Sequence, residues 1–599
     1  MSGRGPSQAT RLVDLAADLE LWHSDGEPFA TVRVGDHCEH WPTNSKTFRR
    51  YLARAFYASH GASPNAEAIT SALAVLEGRG LHDGEQHATH VRVAPDQDGF
   101  FLYLDLANDR WEAVEIDCTG WRIIPAHECP ARFRRAPGML ALPTPERGGS
   151  IENLRHFINV STEDDWILFV GWILGAMRGR GPYLVLILQG EQGSAKSTTA
   201  RVARRLLDPN KAELRAQPRE PRDLAVGCNN ARCVALDNLS SVYPWLSDAL
   251  CRVATGGGFA TRALYTNSEE AIFEAQRPII LNGIDSVAER GDLLDRALLL
   301  TLPRLRKVRT EDELWRAFEA ARPRLLGALL DAVSVALRRE REVDLSVSVR
   351  MADAARWVVA SEPALPWSPR AFLAAYAANR GDANEVVIEA SPVAGELARM
   401  MGMTMCWEGT AGELLAALAQ RAPEKIQKLK AWPTTPRQLA SDLRRVAPNL
   451  RGIGIEIEFP GPKGHSRRRM ILISAAPGSD RPHRPHKGAS GADPEACVPR
   501  NASDRADDQC EPLADRPQVS GRECNGNTNA NGADDGIRAA SAGSQIAPLA
   551  PGPIRDDWER LAARLECEGG LPSEQAERQA AEELGLLGGT GRDAGGRPS

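Results

Sequence analysis

A lysine and a serine stand at the end of a glycine-rich loop near the middle of the chain, an arrangement that suits phosphate binding. An apolar, β-favouring run covers residues 183–189, the loop covers 190–195, and a helix-compatible run covers 198–207. This order is typical of a P-loop, in which backbone N–H groups and a helix N-terminus surround phosphate oxygens. The sequence therefore predicts a nucleoside triphosphate site formed by Gly190, Glu191, Gln192, Gly193, Ser194, Ala195, Lys196, Ser197 and Thr198.

The chemistry expected of this loop rests on two side chains. Lys196 is predicted to neutralise the β- and γ-phosphates of ATP, and the Ser197 hydroxyl is predicted to ligate Mg²⁺. The usual pattern is G-x-x-x-x-G-K-S/T, and Ala195 stands where the second glycine is expected. Its methyl group crowds the turn, but Gly193 still supplies a residue that is free to take positive φ. An ordinary strand, turn and helix without a nucleotide is the alternative.

Two further apolar runs end in polar side chains. Residues 233–236 precede Asp237, and residues 277–281 precede Asn282. Because both runs are predicted to be neighbouring strands of one parallel sheet, their tips should lie near the loop. Asp237 is expected to hold Mg²⁺ together with Ser197, the role called Walker B, and a simple turn residue is the alternative. In additional-strand ATPases, a residue placed like Asn282 is called sensor 1 and positions the attacking water.

Two arginines, Arg290 and Arg296, come just before a fourth apolar run at 297–302. An arginine there can act on the γ-phosphate of a neighbouring subunit, where such a finger raises the rate by about 10³–10⁵-fold. Surface ion pairing is the alternative for both. The pattern favours a homo-oligomer whose site is completed in trans by Arg296. The predicted catalytic residues are Lys196, Asp237, Asn282 and Arg296.

The stretch that follows Asp237 resembles a known family. Residues 254–266 read ATGGGFATRALYT, and they are followed in order by Phe273, Asn282, Asp295 and Arg296. This order is similar to superfamily three helicases, above all to the ATPase half of phage- and poxvirus-type primase-helicases, which read T-G-G-D-x-x-x-x-R-x-L-Y. The resemblance covers residues 150–305. It implies an AAA+-like P-loop NTPase that uses ATP and Mg²⁺, with Arg262 facing single-stranded DNA in the channel of a ring.

The chain departs from that family at several positions. Gly257 stands where the family often has aspartate, and Ala254 and Thr255 replace its Thr-Gly. Asn238 follows Asp237 where many relatives carry a second acidic residue that acts as the general base. An amide can orient water but cannot accept its proton, so hydrolysis is slow or another carboxylate, Glu191 or Asp248, serves. The Ala-Lys-Ser ending of the loop, by contrast, is shared with the minichromosome-maintenance ATPases.

Residues 432–473 are predicted to form a winged helix. A helix covers 436–446, a strand covers 450–459, and a returning strand begins at a run of three arginines. Such a domain can present its helix to a major groove and its wing to phosphates, and a solvated strand edge is the alternative. Primase-helicases often carry such a domain after the motor. The residues expected to contact duplex DNA are Arg437, Arg444, Arg467, Arg468 and Arg469, with Arg445 on the same helix face.

Composition limits the classes of protein to which this chain can belong. The 599 residues carry a net charge of −6, so DNA binding must come from local basic patches. The 11 cysteines include no C-x-x-C pair, which suits a reducing cytosol, and the cysteine and histidine spacing fits no zinc pattern. The apolar run 166–177 is shorter than the roughly 20 residues needed to span a bilayer, and the N-terminus lacks the apolar core of a signal peptide. We therefore expect a soluble, cytoplasmic protein without membrane contact.

Shifts in composition along the chain predict an α/β fold with a P-loop NTPase core. After Ser474, large apolar residues nearly vanish and Pro, Gly, Asn, Asp and Ser dominate, which is the signature of disorder. The predicted order is a flexible N-terminus (1–19), an α+β domain (20–149), the ATPase domain (150–305), a helical lid (306–400), a winged-helix-like domain (401–475) and a disordered tail with a short terminal helix (476–599).

Four functions compete on this reading. The leading hypothesis is an ATP-dependent DNA helicase or replication-initiator ATPase of a phage, plasmid or integrated mobile element, hence a DNA-dependent ATP hydrolase. The second is a switch that binds ATP to assemble on DNA without unwinding it. A small-molecule kinase and a DNA-binding adaptor with a decayed motor are the remaining alternatives. ATP turnover with and without single-stranded DNA separates most of them.

Overall fold

The computed structural model describes residues 6–262, 270–273, 275–283, 290–306, 309–345, 349–460 and 469–475, together with 575 and 578–580. For 259–262 and 270–273 only the backbone is described. The predicted disordered tail and its terminal helix therefore lie almost wholly outside the described residues, as do Arg467 and Arg468.

The first part of the chain combines a three-stranded antiparallel sheet with three helices. Ser45 and Asn65 begin two of the helices by accepting hydrogen bonds from backbone N–H groups of the first turn. Phe48, Leu52 and Phe56 then recur at helical spacing and are buried in the core of this part. The elements are α1 (Gln8–Asp14), β1 (Glu20–Ser24), β2 (Glu27–Val34), β3 (His37–Pro42), α2 (Lys46–His60) and α3 (Ala66–His82), with strand order β1-β2-β3.

A second antiparallel sheet follows and packs on the rest of the molecule. Strands β4 (Thr89–His90) and β9 (Arg132–Phe133) form a separate two-stranded parallel sheet. The antiparallel sheet consists of β5 (Val93–Pro95), β6 (Leu102–Asp105), β7 (Ala113–Ile116) and β8 (Trp121–Ile124), which pair in sequence order. Leu104 and Val114 belong to the same apolar cluster as Trp166 of the next segment. The fully buried Arg92 also forms an ion pair with Asp208, with 3.3 Å between Nε and Oδ1. The residues on either side of the predicted boundary at 149 therefore share one core.

The central block is a parallel sheet flanked by helices, as the alternation of apolar runs and helical stretches predicts. All four of its strands run parallel in the order β11-β14-β10-β15, so β14 lies between the strand that ends near Asp237 and the strand that leads into the loop. The elements are α4 (Glu163–Met177), β10 (Val185–Gln189), α5 (Lys196–Leu207), α6 (Pro221–Asn229), β11 (Val234–Leu239), α7 (Pro244–Thr255), β12 (Phe259–Arg262), β13 (Glu270–Phe273), β14 (Ile279–Gly283), α8 (Gly291–Leu294) and β15 (Ala297–Thr301).

Helix α4 is buried from Trp166 to Met177, as its all-round apolar sequence predicts. It packs between the parallel sheet and the helices that follow, which covers its apolar surface on all sides. Among the described helices, none is long and apolar enough to cross a membrane.

Four helices follow the sheet, in the region predicted to be helical. They are α9 (Glu311–Arg339), α10 (Ala352–Ser361), α11 (Ala371–Ala390) and α12 (Pro392–Met401). Asn379 of α11 is buried and bonds to the edge strand β15, where its Oδ1 accepts from the Leu299 N–H at 2.9 Å and its Nδ2 donates to the Leu299 carbonyl at 2.6 Å. An amide side chain thereby satisfies backbone groups that have no neighbouring strand on that side.

The C-terminal elements pack on a three-stranded antiparallel sheet. They are β16 (Cys406–Thr410), α13 (Ala411–Arg421), α14 (Glu424–Gln427), α15 (Pro436–Gly452), β17 (Ile455–Glu458) and β18 (Met470–Ala475), with strand order β16-β18-β17. Capping boxes begin α13 at Thr410 and α15 at Thr435.

Two sequence predictions for this region are wrong in detail. Helix α15 continues past 446 to Gly452, so residues 450–452 are helical and the strand begins only at Ile455. The extra turn is held by tertiary contacts, because Leu450 is buried and the Asn449 amide donates to Asn384 Oδ1 of α11 at 3.0 Å. Strand β16 was not predicted from the sequence, and it exists through its pairing with β18 far along the chain.

Candidate functional site

The carboxyl ends of three parallel strands bring the predicted site residues together. Gly190 follows β10, Asp237 lies near the end of β11, and Asn282 lies near the end of β14. Leu188 of β10 is in register with Asn282 of β14, which fixes the level of the amide beside the start of the loop. The parallel register therefore gathers one loop, one carboxylate and one amide at a single edge of the sheet.

The loop between β10 and α5 contains three residues with positive φ. Gly190 has φ 144°, and a Cβ there would collide with the Leu302 carbonyl oxygen. Gly193 has φ 82°, and Ala195 itself adopts the left-handed conformation with φ 64° and ψ 27°. Ala195 therefore takes the conformation expected of the missing glycine in spite of its methyl group. A left-handed conformation costs an alanine about 1–2 kcal/mol. The loop therefore has positive-φ residues near both of its ends, at Gly190 and Ala195, although the second glycine of the usual pattern is absent.

Lys196 turns its ammonium group back over the loop. Its Nζ donates to the Gly190 carbonyl at 2.7 Å, to the Glu191 carbonyl at 2.9 Å and to Ser194 Oγ at 3.4 Å. Burial lowers the pKa of Lys196, and the negative charge of Asp237 opposes that shift. The cation therefore lies within the curve of the loop, where the charge of Asp237 acts on it.

Ser197, Asp237 and Asn282 form a connected set of polar side chains from three different elements. The Ser197 hydroxyl donates to Asp237 Oδ1 at 3.0 Å, and the Asn282 Nδ2 approaches Ser197 Oγ at 3.5 Å. The Asn238 backbone N–H lies 2.9 Å from both Asp237 Oδ1 and Asn282 Oδ1, which orients the Asn282 amide with its NH₂ group towards the serine. Hydroxyl and carboxylate oxygens are the hard ligands that Mg²⁺ prefers.

This donor set fits a cation that arrives with a nucleotide better than one held by protein alone. Within the described ranges, no group of three or more His, Cys, Asp and Glu side chains could hold a metal ion. Mg²⁺ in phosphate-transfer sites is commonly bound by one or two protein oxygens plus phosphates and waters. Ser197 Oγ and Asp237 Oδ1, 3.0 Å apart, supply that number.

The structure does not bring Arg296 to the same edge of the sheet. Arg296 immediately precedes β15, and its carbonyl accepts the Val185 N–H at the amino end of β10. Its guanidinium NH1 donates to the Asp292 carbonyl at 2.6 Å, and its buried Nε has no hydrogen-bond partner. Since Lys196 follows the carboxyl end of β10, Arg296 lies on the opposite edge of the sheet within one chain.

The two carboxylates considered as substitute bases lie in different settings. Asp248 of α7 forms an ion pair with Arg290 at 3.0 Å, so this arginine makes the surface ion pair that was its alternative role. Glu191 is exposed in the loop itself. Asn238 is exposed, has φ 56°, and uses its backbone N–H to fix its two neighbours.

The segment at 254–266, which resembles a DNA-facing loop, runs from the C-terminus of α7 into strand β12. Strand β12 pairs antiparallel with β13, and Arg262 is in register with Glu270. Residues 263–269 between the strands lie outside the described residues, and only the backbone of Arg262 is described. The hairpin follows α7, whose C-terminus is closed by Gly256 at φ 91°.

The basic residues predicted to contact DNA in the C-terminal region are exposed wherever the structure describes them. Arg437 is exposed in the first turn of α15, and Arg469 is exposed just before β18. The Arg444 guanidinium lies over the Phe459 ring, 4.7 Å from its centroid, which leaves it at the surface. Arg445 pairs with Asp442 at 3.0 Å.

One further site residue could not be identified from the sequence. Asn159 donates through Nδ2 to the Ser194 carbonyl at 3.0 Å and to the Pro303 carbonyl at 2.5 Å. It thereby fastens the middle of the loop to the segment after β15, and the Leu305 N–H adds a bond to the Gly193 carbonyl at 3.3 Å. Nothing in the local sequence around Asn159 signals these contacts, because both partners are distant in the chain.

Comparison with known proteins identifies a family for two segments. Residues 151–385 match the family model of the actinomycete integrative conjugative element replication protein, and residues 393–488 match the C-terminal domain model of the same RepA group. A search of the curated proteins finds no match. These two segments are therefore similar to a replication protein family of mobile elements.

Solved structures show weaker likenesses. Two A-form apo structures of the NrS-1 C-terminal region match with 11% and 12% identity and a TM-score of 0.33, covering 80% and 78% of this chain and 100% and 98% of theirs. A JCV helicase matches with 13% identity and a TM-score of 0.17, covering 34% of this chain and 61% of its own. Scores this low carry no weight in assigning the site.

Proposed function

We propose that this chain is an ATP-dependent DNA motor or initiator ATPase that replicates a mobile element. The observation that carries the proposal is the meeting of Lys196, Ser197, Asp237 and Asn282 at one edge of a parallel sheet, joined by the contacts described above. The family match to replication proteins of integrative conjugative elements supports the biological setting.

ATP would be held by the loop at 190–198. Its backbone N–H groups and the N-terminus of α5 offer donors to phosphate oxygens, and Lys196 supplies the positive charge. Phosphate oxygens would replace the carbonyl contacts that Lys196 Nζ makes at 2.7 and 2.9 Å. Ser197 and Asp237 would hold Mg²⁺, which neutralises phosphate charge when bound with the nucleotide.

Asn282 is proposed to orient the attacking water. Its amide is 1% exposed and fixed by the Asn238 N–H at 2.9 Å, so the NH₂ group has one direction available. A rigidly held donor near the γ-phosphate stabilises developing charge without reorganisation. Arg296, on the other edge of the sheet, is proposed to act on the site of a neighbouring copy, which requires a homo-oligomer.

DNA contacts are proposed at two places. The hairpin β12–β13 carries Arg262 and would face a single strand of DNA. The elements from β16 to β18 would act as a winged helix, with α15 as the helix that contacts duplex DNA. The exposed Arg437 and Arg469 would reach phosphates there, as would Arg444, Arg467 and Arg468.

Asn238 favours a second function, a switch that binds ATP without rapid turnover. The position after Asp237 carries an amide, and the Asp248 carboxylate is engaged with Arg290 at 3.0 Å. Without a positioned base, hydrolysis loses a factor of about 10²–10⁴. A slow ATPase can still act as a switch, because nucleotide binding alone can change how the protein assembles on DNA.

ATP turnover by the full chain, measured with and without single-stranded DNA, tests the proposal. We expect DNA-stimulated turnover that Lys196→Ala abolishes and that Lys211→Ala, an exposed lysine outside the loop, leaves unchanged. ATP binding without turnover, lost in Lys196→Ala, would favour the switch. Equal nucleotide binding and turnover in Lys196→Ala and the unmodified chain would contradict both functions.

A further inference from the structure

A cavity of about 630 Å³ lies between the second antiparallel sheet and the amino edge of the parallel sheet. Three residues in its wall, Tyr183, Arg232 and Arg277, come just before β10, β11 and β14 respectively. The loop at 190–198 lies beyond the other end of β10, a strand of 5 residues. Such a strand is about 16 Å long, so the cavity and the proposed ATP site are separate.

Two of the arginines that line the cavity, Arg232 and Arg277, have no carboxylate partner among the residues that the structure describes. Arg232 is 5% exposed, donates to the Arg178 carbonyl at 2.5 Å and to the Tyr183 hydroxyl at 2.7 Å, and leaves its Nε without a partner. Arg277 donates through Nε to the carbonyls of Cys228 and Ala231. None of these bonds neutralises a guanidinium charge. Buried cations without a counter-ion are costly, and a ligand anion removes that cost.

Two further arginines, Arg132 and Arg180, belong to the lining of the cavity. Arg180 is exposed and donates to the carbonyls of Asp96 and Gln97, at 3.2 Å each, and across the part of the chain that the structure describes it forms no ion pair. Arg132 pairs with Glu20 at 2.6 Å. Asp96 is a carboxylate of the lining, and its Oδ1 has no hydrogen-bond partner. Arg180, Arg232 and Arg277 therefore outnumber the single Asp96 carboxylate, and the charge of the lining is positive.

His90 lies in the lining and is affected by the positive charges of the arginines around it. Burial and, to a smaller extent, the charges of Arg232, Arg277 and Arg180 together lower the pKa of His90 to about 4. At neutral pH the imidazole is therefore uncharged and offers one donor and one acceptor. Tyr103, 6% exposed, adds an aromatic surface to the same lining. Guanidinium groups, a neutral imidazole and an aromatic ring suit a phosphorylated ligand with a planar base.

The cavity also adjoins the hairpin β12–β13. Gln276 lies in the wall, accepts the Gly181 N–H at 3.0 Å and donates to the Thr255 carbonyl at 3.0 Å. Thr255 ends α7, and the chain continues from there into β12. A DNA single strand bound at the hairpin could therefore extend to the arginine-lined cavity.

We propose that this cavity binds the phosphate of a nucleotide unit, either in a single strand or free. Binding of a phosphate that belongs to a DNA strand rests on the proposed function, whereas binding of a free nucleotide does not. Its volume of about 630 Å³ falls in the range of ligand pockets. The guanidinium groups would bind phosphate oxygens, and Tyr103 would lie against the base or sugar.

The test uses the full chain with Lys196→Ala as background, so that nucleotide bound in the loop does not contribute. Arg180→Glu and Ala88→Glu each introduce negative charge at exposed lining positions without removing a buried contact. Arg316→Glu, at an exposed arginine of α9 outside the cavity, is the matched control. The probes are a fluorescent oligothymidylate and AMP, each titrated over a range of salt concentrations.

We expect both lining variants to weaken binding by about 10-fold or more, the factor for one charged hydrogen bond. The salt slope for the oligonucleotide should flatten by about one unit for each lost phosphate contact. Weakened oligothymidylate binding with unchanged AMP binding identifies the strand as the ligand, and weakened AMP binding identifies a free nucleotide. If neither probe distinguishes the lining variants from Arg316→Glu, the proposal is overturned. The outcome does not depend on whether ATP binds at Lys196.

Discussion

Replacing Asn238 with aspartate tests how the site handles the proton of the attacking water. The residue has φ 56°, a conformation that asparagine and aspartate tolerate better than most residues. Its backbone N–H bonds to Asp237 and Asn282 are unaffected by the change. The substitution therefore exchanges an amide for a carboxylate while the surrounding geometry stays in place.

The expected gain follows from the setting of this side chain. A positioned general base contributes about 10²–10⁴-fold. Asn238 is exposed, and within the described residues no hydrogen bond holds its side chain, so the new carboxylate would be incompletely fixed. We therefore expect Asn238→Asp to raise ATP turnover by about 10²-fold, the lower end of that range.

Single-turnover ATP hydrolysis is the assay, with the full chain in excess over ATP and with saturating Mg²⁺. Asn238→Gly is the matched control, because it accepts positive φ without supplying a base, and it should not exceed the unmodified chain. Turnover of Asn238→Asp within about twofold of Asn238→Gly would show that position 238 does not face the water, since a placed base gives at least about 10²-fold.

Three further predictions concern other parts of the chain. Ala195→Gly should raise the free energy of unfolding by up to about 1.5 kcal/mol, because it removes the left-handed strain of about 1–2 kcal/mol and costs about 0.5–1 kcal/mol in backbone entropy; chemical denaturation measures the change, and a loss of stability would contradict the strain. Mixing Arg296→Ala with Lys196→Ala should restore part of the ATPase activity if Arg296 acts in trans, whereas a fully active monomer at high dilution would refute this. Burial lowers the pKa of His40 and of His90 to about 4 from the ordinary 6.5, so the unfolded chain binds protons first on acidification. Stability should therefore fall as the pH drops from about 6.5 to about 4, and His90→Gln should flatten that dependence in thermal melts.

The parts of the fold that could be predicted from the sequence are those specified by local pattern. The run from Trp166 to Met177 is apolar on all sides, and a helix with that pattern is buried wherever it lies. The apolar runs before Asp237 and Asn282 form adjacent parallel strands. They could be predicted because buried parallel strands are apolar throughout and place polar residues at their carboxyl ends. The capping boxes at Thr410 and Thr435 determine where their helices begin.

The parts that could not be predicted depend on contacts between distant residues. Strand β16 has little strand character of its own and is formed by pairing with β18. The last turn of α15 is held by the Asn449 bond to Asn384. Asn159 and Asn379 satisfy backbone groups of the loop and of an edge strand, and no local pattern marks an asparagine for such a task. The assigned roles of the site residues stay predictions.

A structure of the full chain with a non-hydrolysable ATP analogue and Mg²⁺ tests the central claim most directly. We predict that the γ-phosphate lies beside Lys196 Nζ and that the metal is ligated by Ser197 Oγ at about 2.1 Å, with Asp237 bound to it directly or through water. An analogue bound anywhere else, with Lys196 still bonded to the Gly190 and Glu191 carbonyls, would contradict the claim.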